Sequence, residues 1–243
     1  METSTKEHSL LKSVALHLLP GIFVGIAYFT LAPFVNEHGF PTAMALILAG
    51  VFVLAPFELG IIFFQKRSSG EKYLEGIIKY TQHIPVWQYF VWVSVILVFS
   101  GLIFSGFKFS SDFLITFFNW IPTDLFLDLG LDNEFNKQKL IITYVAFFLF
   151  MVIILPIIEE IYFRGYLLPR MPSKLQNYTV IIHSGLFAMY HTWTPWMFFI
   201  RTLALLPLIY IVKRKENILI GIIAHCILNS FDFIAAMIFI LNY

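Results

Sequence analysis

Residues 140–168 read LIITYVAFFLFMVIILPIIEEIYFRGYLL. No charged residue occurs before Glu159, and the run is long enough to cross a hydrocarbon core of about 30 Å at a rise of about 1.5 Å per residue. Near its far end come Glu159, Glu160 and Arg164 in otherwise apolar surroundings. Ionisable groups inside a membrane span are costly to keep there, so they point to a partner or to a function. This stretch decides the class of fold, a transmembrane helix, and places chemistry within it.

The rest of the chain agrees. Of 243 residues, 59% are hydrophobic and 13% charged, with a mean hydropathy of +0.81. Soluble domains are nearer 45–50% apolar and about 25% charged. Apolar runs at 13–35, 42–65, 87–107, 140–168, 178–193, 196–212 and 217–241 predict an all-α polytopic bundle of about seven spans. Between the third and fourth runs, residues 108–138 mix apolar residues with Pro122, Asp124 and Asp128. That mixture suits an interfacial or re-entrant segment, with an eighth span as the alternative. The organisation read from this is an N-terminal set of spans, 1–138, followed by a transmembrane core, 139–243.

Basic residues set the expected orientation. With the N-terminus in the cytoplasm, Lys6, Lys12, Lys66, Arg67, Lys72, Lys79, Arg170, Lys174, Lys213, Arg214 and Lys215 fall inside, and only Lys108, Lys137 and Lys139 outside. The C-terminus then lies outside. A net charge of +1 gives no sign of a nucleic-acid partner. The one cysteine, Cys226, excludes an intrachain disulfide and a cysteine-only metal site.

Intramembrane ionisable residues cluster late: Glu159, Glu160 and Arg164 on the fourth span, His183 and His191 on the fifth, His225 and Asp232 on the seventh. Counted from the cytoplasmic ends at 1.5 Å per residue, Glu159 is roughly 14 Å deep, His191 about 20 Å and His225 about 12 Å. Similar depths on separate spans predict one polar cleft. Glu160 and Arg164 are spaced i, i+4 and can pair, which leaves Glu159 for the cleft. His183 and Glu58 are read as helix-to-helix hydrogen-bonding residues, and Arg201 as a residue reaching toward the outer surface.

Three motifs now stand in order: Glu159-Glu160-Ile-Tyr-Phe-Arg164, Phe187-Ala-Met-Tyr-His191 and His225-Cys-Ile-Leu-Asn229. Together they resemble the signatures of the CPBP (Abi) family, which comprises the type II CAAX prenyl endopeptidases and bacteriocin-processing membrane proteases. The resemblance covers residues 140–241; the first 130 residues share only their membrane character. It implies an intramembrane endopeptidase in which Glu159 takes a proton from water, His191 holds that water, and His225 and Asn229 stabilise the oxyanion. Glu160 and Arg164 would orient the motif, and Phe187 would pack the cleft. It leaves the cofactor open. Glu159, His191 and His225 are ligand types for a divalent metal such as Zn²⁺, although the HExxH signature is absent. The implied substrate is a membrane-delivered peptide or protein, prenylated or leader-containing, and the implied location is a cell membrane, bacterial by the compactness of the chain. The competing function is a non-catalytic immunity or scaffold protein acting on a peptide partner. A transporter would show repeated halves, and none is visible.

Overall fold

The computed structural model describes residues 6–70, 74–132 and 134–243; Lys72, one of the expected cytoplasmic cations, lies outside them. The described residues form a helical bundle without strands, with one isolated bridge between Thr81 and Asn217. Six helices are long and apolar enough to cross a membrane: α1 (Leu10–Glu37), α2 (Ala43–Ser69), α3 (Val86–Gly106), α4 (Lys137–Arg170), α6 (Pro195–Lys215) and α7 (Ile218–Asn242). Between α4 and α6 lies α5, Thr179–Tyr190. Large apolar side chains point outward from α3, where Phe90, Val98 and Leu102 are 73%, 63% and 67% exposed. Such a surface is stable only against lipid.

The expected fifth span is the one that differs. At 12 residues, α5 rises about 18 Å, short of a 30 Å core. It packs between α1 and α6 and buries Thr179, His183 and Ser184, so it is an interior helix. Apolarity alone does not distinguish an interior helix from a crossing one. Residues 108–132 contain a seven-residue helix, Lys108–Leu114, and two short 3₁₀ turns, none long enough to span.

Prolines shape the spans. Pro56, Pro156 and Pro169 each stand two residues after a π-helical stretch, namely Gly50–Leu54, Phe147–Ile154 and Glu160–Leu167. A proline removes an i→i−4 donor and crowds the preceding turn, and a widened turn accommodates both. Glu159 and Glu160 lie where the second wide stretch has ended and the third begins.

Two contacts fix α1 against α5. His17 Nε2 and His183 Nδ1 are 2.8 Å apart, both residues fully buried, and His17 Nδ1 lies 2.6 Å from the Ser13 carbonyl. The Ser13 carbonyl can only accept, so His17 donates from Nδ1 and its Nε2 accepts a hydrogen bond from His183 Nδ1–H. Gly21 and Gly25, spaced as in the small-residue motif of membrane helix pairs, let α1 approach the end of α5. A Cβ on Gly21 would collide with the Tyr190 carbonyl, and one on Gly25 with Thr192 Oγ1. The close approach lets Thr192 Oγ1 donate to the Gly21 carbonyl at 2.6 Å. Just before α1, His8 is buried against Tyr166; burial, then Lys12 and Arg170, push its pKa down to about 4, so it packs neutral.

Gly21→Val should lower the unfolding free energy in detergent by about 1–3 kcal/mol, the usual cost of overpacking. Thermal unfolding measures it, and an unchanged midpoint would show that α1 does not approach α5 this closely.

Candidate active site

The motif on α4 places two carboxylates in different surroundings. Glu160 is 0% exposed, whereas Glu159 keeps partial exposure and makes no hydrogen bond or ion pair among the described residues. Successive helical residues diverge by about 100°, which is why adjacent acids separate in this way.

Glu160 is the hub. Its Oε1 lies 3.2 Å from Arg164 Nη1 and 2.9 Å from His225 Nδ1. The first contact is the i, i+4 pair legible in the sequence. The second crosses from α4 to α7 and gives His225 its tautomer: Nδ1 donates to the carboxylate and Nε2 is left for the cleft. Room for the carboxylate comes from Gly221, where a Cβ would stand 2.5 Å from Glu160 Oε2. Arg164, also 0% exposed, lies over the ring of Phe187 at 4.0 Å, a cation–π contact that offsets part of its desolvation.

Phe187 ties α5 to the same place. Its ring centroid is 5.0 Å from that of His191 and 6.4 Å from that of His225. His191 ends α5, and its ring is bounded by Phe187, Tyr190 and Trp193. Its Nδ1 donates to the Phe187 carbonyl at 2.8 Å, so its Nε2 is also left unprotonated when the ring is neutral.

Asn229, one turn beyond His225, has a structural role. Its Nδ2 donates to the Met151 carbonyl at 2.8 Å. In the preceding π-helical register Leu155 N–H reaches the Phe150 carbonyl, and the next donor would be Pro156, which has none. Asn229 replaces it, leaving its second amide hydrogen and its oxygen for other partners.

Two residues lie otherwise than the sequence suggested. Arg201 does not reach outward: Nη1 donates to Thr194 Oγ1 at 2.7 Å and to its carbonyl at 3.3 Å, within electrostatic range of Glu159 and His191. Glu58 makes no helix-to-helix hydrogen bond; it is fully buried with both oxygens unpartnered, on the part of α2 that packs against α4. No motif includes it, and an intramembrane charge on its own was the only signal that could have found it. Asp232 is exposed on α7.

Among the described residues no three His, Cys, Asp or Glu side chains converge closely enough to hold a metal ion. Nδ1 of His191 donates to the Phe187 carbonyl and Nδ1 of His225 to Glu160, so Nε2 of each ring is left open.

The comparison with protein families bears on this geometry. Residues 141–231 match the family described as type II CAAX prenyl endopeptidase Rce1-like. The Rce1-like segment contains all three motifs, and it agrees with the CPBP resemblance. Searches of curated proteins and of solved structures give no match. The match spans 91 of the 243 residues, and the six long apolar helices support an integral membrane protein.

Removing one partner of a buried pair leaves an uncompensated charge, at a cost of about 3–5 kcal/mol. Arg164→Met should show that loss in thermal unfolding, and Arg164→Met with Glu160→Gln should recover part of it. Equal stability of the single and double variants would mean that the pair is not formed.

Proposed function

We propose that the chain is an intramembrane endopeptidase that cleaves a peptide bond of a membrane-delivered peptide or protein, using water activated by Glu159. The observation that carries this reading is the convergence on Phe187: one ring contacts Arg164, His191 and His225, and Glu160 joins two of these. The Rce1-like match over 141–231 gives it a class of chemistry.

In this reading Glu159, the carboxylate without an internal partner, takes a proton from water as the oxygen attacks the scissile carbonyl. His191, with its Nε2 lone pair directed away from the Phe187 carbonyl, accepts a hydrogen bond from that water and orients it. The tetrahedral intermediate places negative charge on the former carbonyl oxygen. His225, its ring held by Glu160 at Nδ1, donates to it from Nε2 when both ring nitrogens carry protons. The free amide hydrogen of Asn229 adds a second donor. Donors fixed beforehand in a site shielded from bulk water are most effective here. Glu159 then returns its proton to the departing amine, and no step passes through a metal.

Substrate arrives from lipid in this account, prenylated at a C-terminal sequence or carrying a leader. Fluorogenic peptides of both kinds, incubated with the detergent-purified protein, test the reading. Glu159→Gln and His191→Ala should each lower kcat/KM by about 100-fold or more, in the range of a lost base or a lost preorganised contact. A chelator should leave wild-type cleavage unchanged. Full activity in Glu159→Gln would remove the assignment, inhibition by chelator would require a metal, and failure to cleave while binding a peptide would favour a scaffold.

A further inference from the structure

The interior holds a concentration of polar atoms without partners. Both oxygens of Glu58, all three guanidinium nitrogens of Arg164 and the hydroxyl of Tyr190 are buried and lack an aligned hydrogen-bond partner; Arg164 Nη1 lies 3.2 Å from Glu160 but out of alignment. The three residues are 0% exposed. They come from three helices: Glu58 on α2 and Arg164 on α4, which pack against each other, and Tyr190 at the end of α5. Glu58 lies in the electrostatic range of Glu159, Arg164, Tyr162 and Tyr190. Tyr162 is already satisfied through the Leu16 carbonyl at 2.8 Å. Phe187 links the other two, with Arg164 above its ring at 4.0 Å and Tyr190 stacked at 5.5 Å.

Buried polar groups are almost always hydrogen-bonded, and where protein supplies no partner, ordered water does. A water needs two to four polar partners, and the set here offers acceptors on Glu58, donors on Arg164 and both on Tyr190. Surrounding Phe163 and Phe187 keep the place out of contact with lipid and bulk solvent. Hydrolysis at this depth needs a source of water that the hydrocarbon around it does not provide.

We propose that Glu58, Arg164 and Tyr190 form a buried water-binding site from which the hydrolytic position is replenished. Glu58 is thereby a positioning residue of the reaction. Its part in hydrolysis rests on the endopeptidase reading; the water site itself does not.

X-ray hydroxyl-radical footprinting in ¹⁸O-labelled water tests the site without any substrate, because bound water labels side chains that bulk solvent cannot reach. Wild type should show rapid labelling of Phe187 and Phe163, which are 2% and 0% exposed. Glu58→Leu and Tyr190→Phe should each reduce it severalfold, and Glu58→Gln, which keeps hydrogen-bonding atoms, should retain most of it. Should Glu58→Leu fail to fold, Tyr190→Phe carries the comparison. Absence of label in wild type, or equal label in both polar-to-apolar variants, overturns the site. In cleavage assays Glu58→Leu should lower kcat about tenfold or more with KM little changed, as for misplacement of a reacting group, and Glu58→Gln should rescue it. Unchanged kcat in a variant that has lost its label would overturn the supply role. A wild type that labels but cleaves nothing would refute the endopeptidase reading and leave the water site standing.

Discussion

A carboxylate held at zero exposure inside a membrane protein must find compensating positive charge or hydrogen-bond donors, and Glu160 finds both in Arg164 and His225. Those two contacts connect the rest of the site. Through Arg164 the carboxylate is linked to the face of Phe187 and so to α5 and His191. Through His225 it holds α7 against α4 and fixes which imidazole nitrogen faces the cleft. Glu159, its neighbour in sequence, makes no hydrogen bond or ion pair among the described residues. One residue of the pair organises the site and the other is available to react.

Backbone irregularities make this geometry attainable. Pro156 deprives the Met151 carbonyl of a donor, and Asn229 supplies one from α7. The same amide that has been read as an oxyanion donor therefore also docks its helix. Gly221 gives the Glu160 carboxylate its space, and Gly21 gives the end of α5 its place against α1. None of these features is chemical in itself. Each sets the distance at which a reactive side chain stands from its neighbours.

Much of this was legible in the sequence because it is local. The Glu160–Arg164 pair follows from i, i+4 spacing, and the membrane class follows from the long apolar runs. What was not legible depends on how helices face one another. Nothing in the spacing of the third motif says that His225 meets Glu160, and a lone Glu58 gives no hint that its part of α2 packs against α4. His183 was expected to bond another helix, and it does, to His17. The short α5 was read as a span because its composition is apolar, although its burial between α1 and α6 removes any need to reach both surfaces. Arg201 at a helix start resembles a residue reaching for water, but Thr194 in the preceding turn captures it.

The contact between Glu160 and His225 is the joint on which this account rests, and a double-mutant cycle measures it most directly. Unfolding free energies of wild type, Glu160→Gln, His225→Phe and the double variant isolate the pair from their other contacts. A coupling of about 0.5–3 kcal/mol, the range for residues in one hydrogen-bonded network, is the predicted result. Additive losses would contradict the account, since His225 would then be positioned by something other than Glu160.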